Sequence, residues 1–366
     1  MTAFPADDIE RKAQAGDTTA QLELATRLEA EKSFLKARQW LWRAATAGNT
    51  EAKAALALRL VAFPSFAVIE GLKWANAAAS EGSAAAAHLL ALMTGEGLGV
   101  PQNWTVSLDG CSARPNSGAS RRKQAQAELS ALAGQWELAH AFRENRDAHE
   151  DFARLRQSID LSSWLSVPQA RLVSESPRIG MVENFLRRDA CDWLIARNRP
   201  HLARAQIYDT ETGSLTDQGE RTNTAAGLDF SRAGIVLIIA RARMAAIAGL
   251  SVEGFEDSVL LHYDVGEEFS PHYDFFDPSV AGHAPELQAG QRVLTFLTYL
   301  NEGFEGSETG FPEIDRRYKG AKGEGLFFWN AALDGTPDPR TLHAGLPVAT
   351  GEKWLLSQWI RHRTGL

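Results

Sequence analysis

Two histidines and an aspartate in the C-terminal half of this 366-residue chain have the types and spacing of a metal site. His272 and Asp274 lie two positions apart, after Ser270-Pro271. In an extended strand, side chains two residues apart point to the same face, so both could aim at one ion. His343, much further along the chain, could complete the site. The pattern alone is weak, because any strand that contains a histidine can supply it by chance.

The same triplet occurs twice. His262-Tyr263-Asp264 precedes His272-Tyr273-Asp274 by ten residues, and spacing cannot choose between them. Two neutral imidazoles and one carboxylate are the ligands of non-haem Fe(II) oxygenases, which leave coordination positions for a co-substrate and O₂. Zinc accepts the same ligand types. The spacing therefore leaves both the metal and the triplet open.

A lysine near the C-terminus indicates what else such a site could bind. Lys353 begins a run in which Trp354, Leu356, Gln358 and Ile360 alternate as in a β-strand. A lysine buried inside a barrel core needs an anion, which a dicarboxylate co-substrate reaching in from the metal would supply. The alternative is a surface lysine whose stem packs on the sheet while its ammonium stays in water.

Several segments in the last half of the chain resemble, in order, the prolyl 4-hydroxylase family of iron- and 2-oxoglutarate-dependent dioxygenases. They are residues 261–273 (LHYDVGEEFSPHY), 291–301 (QRVLTFLTYLN), 306–312 (GSETGFP) and 327–361, the last with FFWN, DGTPDPRTLHAG and GEKWLLSQWIR. The resemblance implies Fe(II), 2-oxoglutarate and O₂ as metal and co-substrates, with ascorbate as reductant. It assigns residues as follows: His272, Asp274 and His343 to iron; Lys353, Tyr263 and Thr309 to the far carboxylate of 2-oxoglutarate.

The resemblance says less about the substrate. Arg292 and Trp359 match positions near the substrate peptide, although Arg292 could equally form a structural ion pair and Trp359 could be core packing. Residues 221–223 read Arg-Thr-Asn where the family usually has Arg-Thr-Ser. Phe269 stands where some members have a tyrosine, and this exchange removes a hydrogen-bond donor. These departures put the family's peptide specificity in doubt.

The function implied by the resemblance is hydroxylation of a prolyl residue at C4 in a protein or peptide, with release of succinate and CO₂. One alternative is a hydroxylase of another amino-acid side chain or of a small molecule. Another is a helical scaffold or peptide-binding protein whose C-terminal domain has lost turnover. The presence of all three metal-ligand candidates together with Lys353 and Tyr263 disfavours this last alternative, because an inactive site has no reason to retain a buried cation.

The N-terminal third repeats itself. Gly16, Gly48, Gly82 and Gly118 mark copies spaced by 32, 34 and 36 residues, and each copy reads as two helices. Stacked helix pairs form an α-solenoid. Residues 92–102 (LMTGEGLGVPQ) resemble the loop of Sel1-type repeats, which are similar to tetratricopeptide repeats. Such a solenoid could present a concave surface to a partner peptide or only brace the catalytic domain.

The remaining pattern predicts an α+β protein. Residues 136–165 are amphipathic and predict a connecting helix that ends before Val167-Pro168. Residues 208–221 resemble a mobile substrate lid, and Ser231 is expected to cap a buried helix that runs to Leu250. Short strands separated by turns then predict a double-stranded β-helix, the cupin-like jelly roll. The predicted domains are helical repeats at 1–135, a connecting helix and linker at 136–168, and the dioxygenase domain at 169–366.

Composition excludes other classes. A net charge of −8 disfavours DNA or RNA as a partner. Two distant cysteines, Cys111 and Cys191, cannot build a disulfide framework and fit a reducing cytoplasm. The N-terminal sequence is acidic where a signal peptide is basic, and no stretch approaches about eighteen uninterrupted apolar residues. We therefore expect a soluble, unexported protein.

Overall fold

The computed structural model describes residues 8–62, 67–111, 119–144, 146, 151–205, 207–209, 214–216 and 221–362. The chain divides into one unit of residues 1–129 with 149–157 and a second of residues 130–148 with 158–366. The first is helical and the second is built mainly from antiparallel strands, so the predicted α+β class is confirmed.

The described part of residues 8–132 is almost entirely helical. Its helices are α1 (Asp8–Gln14), α2 (Thr18–Ala30), α3 (Phe34–Thr46), α4 (Thr50–Val61), α5 (Val68–Ser80), α6 (Ala84–Glu96), α7 (Trp104–Cys111) and α8 (Ala119–Leu132). Alanine and leucine side chains fill the contacts between them, and Ala44, Ala52 and Leu56 are completely buried. Small residues let neighbouring helices approach closely. Trp42 on α3 meets Trp74 on α5 edge to face, with ring centroids 5.7 Å apart.

One turn recurs between these helices and explains the sequence repeat. Gly16, Gly48 and Gly82 have nearly identical left-handed φ angles of 97°, 97° and 98°, which a residue with a side chain rarely adopts. The residue after each glycine caps the next helix: the side chains of Asp17, Asn49 and Ser83 accept backbone N–H groups of its first turn. The fourth marker, Gly118, lies outside the described residues.

Three short helices stand where the sequence predicted one connecting helix: α9 (Trp136–Arg143), α10 (Phe152–Ser158) and α11 (Leu161–Leu165). Helix α9 belongs to the second unit, where His140 packs edge to face on Trp193. Helix α10 belongs to the first, where Arg156 pairs with Asp109 at 3.2 Å. The continuous helix is therefore wrong, and the domain boundaries near residues 135 and 168 stay predictions.

The second unit continues with the remaining helices and strands. Its helices are α12 (Arg188–Asn198), α13 (Ile235–Ala248) and α14 (Ala284–Gln288), with 3₁₀ turns at Arg199–His201, Val252–Gly254, Ala281–His283, Pro312–Ile314 and Pro339–Thr341. Its strands are β1 (Ala170–Glu175), β2 (Arg178–Val182), β3 (Ala203–Arg204), β4 (Ile207–Asp209), β5 (Ser214–Thr216), β6 (Thr224–Leu228), β7 (Ser258–Tyr263), β8 (Phe269–His272), β9 (Gln291–Tyr299), β10 (Glu305–Gly306), β11 (Thr309–Phe311), β12 (Arg316–Tyr318), β13 (Gly325–Trp329), β14 (His343–Gly345), β15 (Val348–Thr350) and β16 (Lys353–His362).

Two sheets enclose the core of this unit. The larger has the order β1-β2-β13-β9-β16-β7-β6-β3 and the smaller has the order β12-β11-β14-β8, with antiparallel pairing throughout. Side chains from both sheets meet in one apolar cluster, in which Phe311 of the smaller sheet packs with Leu297, Phe328 and Leu355 of the larger. This is the predicted double-stranded β-helix.

The start of helix α13 differs from the sequence prediction, and the predicted lid is described only in part. Helix α13 begins at Ile235 with Gly234 at its N-cap, and the Ser231 hydroxyl donates to Asp229 instead, so Ser231 is not the cap. Of the predicted lid, β4 pairs with β5, while residues 210–213 and 217–220 lie outside the described residues. No helix in the described ranges is long and apolar enough to cross a bilayer.

Candidate active site

Neighbouring strands of the smaller sheet bring the two histidines together. His272 ends β8 and His343 begins β14, and these two residues are partners in the antiparallel pairing. Their ring centroids lie 4.3 Å apart. Asp274, two residues after His272, places its carboxylate oxygens 3.8 Å from His272 Nε2 and 3.4 Å from His343 Nε2. The structure therefore brings the three predicted metal ligands together.

Both imidazoles are oriented by the backbone. His272 Nδ1 lies 2.8 Å from the carbonyl of Ser270, and His343 Nδ1 lies 3.0 Å from the carbonyl of Thr341. A carbonyl only accepts, so each Nδ1 carries the proton and each Nε2 lone pair is left for another partner. Metal-binding histidines are commonly fixed in this way. Burial and the neighbouring His343 lower the pKa of His272 to about 3, which keeps the ring neutral.

A hydrogen-bond chain from the larger sheet holds Asp274. The Thr295 hydroxyl on β9 donates to its Oδ2 at 2.6 Å, and Asn330 Nδ2 donates to Thr295 Oγ1 at 2.7 Å. Burial by itself opposes ionisation, but surrounding groups, among them the Arg292 guanidinium and the Thr295 hydroxyl, lower the pKa of Asp274 overall. A buried carboxylate facing two Nε2 lone pairs is a donor set that fits a divalent cation. Sequence reasoning missed Thr295 and Asn330; the inward-facing threonine of a buried strand was the available signal.

Lys353 lines the same cleft. Its side chain is completely buried, and its Nζ donates to the carbonyl of Ser307 at 2.6 Å. Burial lowers its pKa to about 7, and no carboxylate in the described part of the chain forms an ion pair with it. The surface position that the sequence left open is thus excluded. A buried, unpaired ammonium is a fit for an anionic group inside the cleft.

Two hydroxyl groups accompany Lys353. Tyr263 pairs with Lys353 across β7 and β16, and the ammonium lies 5.4 Å from its ring centroid. Burial raises the pKa of Tyr263 to about 12, so the phenol keeps its proton. Thr309 Oγ1 lies 3.0 Å from the hydroxyl of Tyr299. Tyr263 and Thr309 line the cleft together with Lys353, His272, Asp274 and His343.

Of the two predicted substrate positions, Trp359 lines the cleft and Arg292 forms an ion pair. The Arg292 guanidinium binds Glu256 through two hydrogen bonds of 2.6 and 2.8 Å, which is the structural ion pair that the sequence left open. Trp359 lines the cleft, and its ring lies 4.2 Å below the Arg292 guanidinium. The indole Nε1–H is buried and has no hydrogen-bond partner among the described residues.

The first triplet does not reach the cleft as a unit. His262 contacts Thr224 through Nδ1 at 3.1 Å and Glu352 through Nε2 at 2.9 Å. Asp264 is highly exposed and its carboxylate lies 3.9 Å from His262 Nε2. The ring of His262 packs on Trp354 with centroids 4.2 Å apart. Only Tyr263 of this triplet lines the cleft.

Arg221 and Phe269 were quoted from the sequence without a site role, yet both line the cleft. Phe269 stacks face to face on His272, with centroids 3.6 Å apart, and Arg221 lies over the Phe269 ring at 4.7 Å. The Arg221 Nε donates to Asn223 Oδ1 at 2.8 Å. The signal for Arg221 was its position as the last residue of the predicted lid, residues 208–221.

Comparison with known proteins gives the same class of site. The family model of the 2OG-Fe(II) oxygenase superfamily matches residues 258–361. Prolyl 4-hydroxylase 1 of Arabidopsis thaliana is 32% identical over 228 residues, which cover 56% of this chain and 79% of the relative. Probable prolyl 4-hydroxylase 10 of the same plant is 32% identical over 52% of this chain and 71% of its own length.

A solved structure is also similar. The viral collagen prolyl hydroxylase of Paramecium bursaria Chlorella virus-1, solved as a 2OG complex, shares 27% identity over half of this chain and 96% of that chain, with a TM-score of 0.39. The two plant relatives each match over more than two thirds of their own length, at 32% identity. On the strength of these relatives and of the superfamily match, the chain belongs to the prolyl 4-hydroxylase family of 2OG-Fe(II) oxygenases and is an iron- and 2-oxoglutarate-dependent dioxygenase.

Proposed function

We propose that this enzyme hydroxylates a prolyl residue of a protein or peptide at C4 and releases succinate and CO₂. The observation that carries the proposal is one cleft in which two oriented imidazoles and a buried carboxylate converge near an unpaired buried lysine. The two plant relatives are named prolyl 4-hydroxylases, which supports proline as the target.

The metal and co-substrate would be held by separate groups. His272, Asp274 and His343 would hold Fe(II), because their free Nε2 and carboxylate oxygens face one another. With 2-oxoglutarate and O₂, the bound iron supplies oxidative decarboxylation and the oxidation of a C–H bond. Lys353 would bind the far carboxylate of 2-oxoglutarate, and the protonated hydroxyls of Tyr263 and Thr309 would donate hydrogen bonds to it.

The chain's own contribution is position and dryness. The stacked Phe269 ring covers one face of His272, and the chain from Asn330 through Thr295 holds the carboxylate of Asp274. Apolar side chains of the core cluster surround Tyr263. Such packing limits water around the cleft, and a dry site strengthens every charge interaction in it.

Trp359 would contact the substrate directly, since its ring lines the cleft and its buried indole N–H has no hydrogen-bond partner among the described residues. Arg292 would act through it as a positioning residue. Its guanidinium is anchored to Glu256 and stacks on the Trp359 ring. A substituted Arg292 should therefore disturb substrate contact by releasing Trp359.

Other parts of the proposal concern the rest of the molecule. The helical repeats, of Sel1 or tetratricopeptide type by prediction, would recruit the protein substrate, and ascorbate would serve as reductant. The thiols of Cys111 and Cys191 are buried, and two distant cysteines fit a cytoplasmic location. These three statements stay predictions.

The test is succinate formation from 2-oxoglutarate with Fe(II), measured with and without proline-containing peptides, and mass spectrometry of the peptides. We expect stimulation by peptide and one added oxygen atom on proline. Turnover without any oxidised proline would leave a hydroxylase of another side chain or small molecule. Absence of any succinate would favour the scaffold alternative.

A further inference from the structure

Arg221 is a second cationic side chain in the cleft, beside Lys353. The proposed function assigns no ligand to its positive charge. It lines the cleft together with His272, Asp274 and Lys353. No carboxylate in the described ranges forms an ion pair with its guanidinium. Among the described residues only Nε has a hydrogen-bond partner, Asn223, so the two terminal nitrogens are left for a ligand.

The guanidinium is held in one orientation. Asn223 is completely buried, and its Nδ2 donates to the carbonyl of Thr224 at 2.8 Å, which fixes the Oδ1 that accepts from Arg221. The Arg221 guanidinium packs on the Phe269 ring, and the same ring stacks on His272. A fixed, planar fork with free terminal nitrogens matches the two oxygens of a carboxylate. A serine at position 223, as in the family, would carry a shorter side chain.

The charges in the loaded cleft leave room for one more anion. A divalent metal and the two carboxylates of 2-oxoglutarate cancel, and the charges of Asp274 and protonated Lys353 also cancel. Arg221 then adds a positive charge to this sum, and in the cleft without metal Asp274 is the carboxylate that acts on it. Burial lowers the pKa of Arg221, because removing the charged guanidinium from water costs free energy.

We propose that Arg221, oriented by Asn223, binds a carboxylate of the substrate beside the C–H bond that is oxidised. The carboxylate could belong to an acidic side chain next to the target residue or to a free α-carboxylate at a chain end or on a free amino acid. The inference rests on the proposed function for its chemistry and adds that the substrate is anionic.

Calorimetric binding tests this on the full chain loaded with Mn(II) and 2-oxoglutarate without O₂. The probes are acetylated, amidated peptides with one proline between alanines, the same peptides with glutamate beside the proline, the alanine peptide with a free C-terminal carboxylate, and free proline. We expect carboxylate-bearing probes to bind about tenfold more tightly than the neutral peptide, as for one charge-assisted pair. The glutamate arm and the free-carboxylate arms distinguish the two sources.

Variants assign the effect to the proposed residues. Arg221→Gln should abolish the preference for carboxylates, Arg221→Lys should keep part of it, and Asn223→Ser should weaken it because the fork loses its support. Arg317→Gln removes an exposed cation of the same unit and should leave the preference unchanged. Thermal melting of each variant checks that it is folded. If Arg221→Gln does not fold, Asn223→Ser is the milder change that still tests the proposal.

Three results would overturn the inference: equal binding of neutral and anionic prolyl probes, a preference that survives Arg221→Gln, or a loss of 2-oxoglutarate affinity in Arg221→Gln as large as in Lys353→Ala. The last would assign Arg221 to the co-substrate. Failure of the proposed function is distinguishable, because prolyl probes would then go unoxidised while carboxylates of other amino acids still bind through Arg221.

Discussion

The triplets His262-Tyr263-Asp264 and His272-Tyr273-Asp274 have the same residues in the same order, yet they have different surroundings. Asp274 is buried and faces two histidine rings, whereas Asp264 is exposed and faces one. The second triplet meets His343 on the adjacent strand β14. The first meets Glu352, which also pairs with Arg199 at 3.1 Å.

The difference arises from which sheet face each side chain takes. Strand β7 sends Tyr263 into the cleft and His262 to the other face, and the paired strand β16 does the same with Lys353 and Trp354. Because side chains alternate along a strand, the first triplet divides its residues between two environments. The same residue types therefore converge inside the buried cleft only in the second triplet, whereas His262 and Asp264 meet Glu352 at a partly exposed position.

The largest expected effect separates the two histidines. His272→Ala removes a ligand from the proposed site, so Fe(II) affinity should fall at least about a hundredfold and succinate formation should disappear. His262→Ala is the matched control and should keep both within about twofold. Metal titration and succinate assay of the two variants measure this. Equal losses would mean that the triplets were assigned wrongly.

Removal of the buried cation comes next. Lys353→Ala should weaken 2-oxoglutarate binding by about a hundredfold to a few thousandfold, since breaking a buried ion pair costs about 3–5 kcal/mol, while Fe(II) binding stays measurable. Lys322→Ala, which changes a lysine paired with Asp192 at the surface, is the control. Calorimetry with 2-oxoglutarate gives both values. An unchanged dissociation constant in Lys353→Ala would remove the co-substrate from this end of the cleft.

A smaller effect concerns pH. The pKa of Lys353 is lowered to about 7 in the protein without co-substrate, and a bound carboxylate must raise it. Below pH 7 the ammonium is already charged and 2-oxoglutarate affinity should be constant. Above pH 7 binding must take up a proton, so affinity should fall by up to about tenfold per pH unit. Lys353→Met should show weak, pH-independent binding; a flat profile for the wild type contradicts the assignment.

The smallest effect falls on the first triplet. His262→Ala loses hydrogen bonds to Thr224 and Glu352 and the contact with Trp354. We expect about 1–3 kcal/mol less stability, visible as a Tm lowered by a few degrees, with iron binding retained. His262→Gln, which can still donate to Glu352, should lose less. If His262→Ala had normal stability but bound less iron, the first triplet, and not the second, would be assigned to the metal.

Sequence reasoning reached the site because its main elements are local. The two-residue spacing of His272 and Asp274, the alternation after Lys353 and the glycine period at residues 16, 48 and 82 can all be read from the local sequence. It failed where distant contacts decide. The segment 136–165 is amphipathic but forms three helices, because α9 and α10 pack in different units. Arg292 had two open interpretations until Glu256, far along the chain, proved to be its partner.

The sequence by itself determined the ligand types, the strand that carries Lys353 and the glycine turns of the repeats. These features depend only on side-chain chemistry and on residues that are close together in the chain. Only the tertiary structure decided that His272 rather than His262 meets His343, that Lys353 is buried in the cleft with no ion pair to a described carboxylate, and that Arg221 lines the same cleft. Each of these depends on which strands become neighbours, and strand pairing joins residues whose separation along the chain carries no local signal.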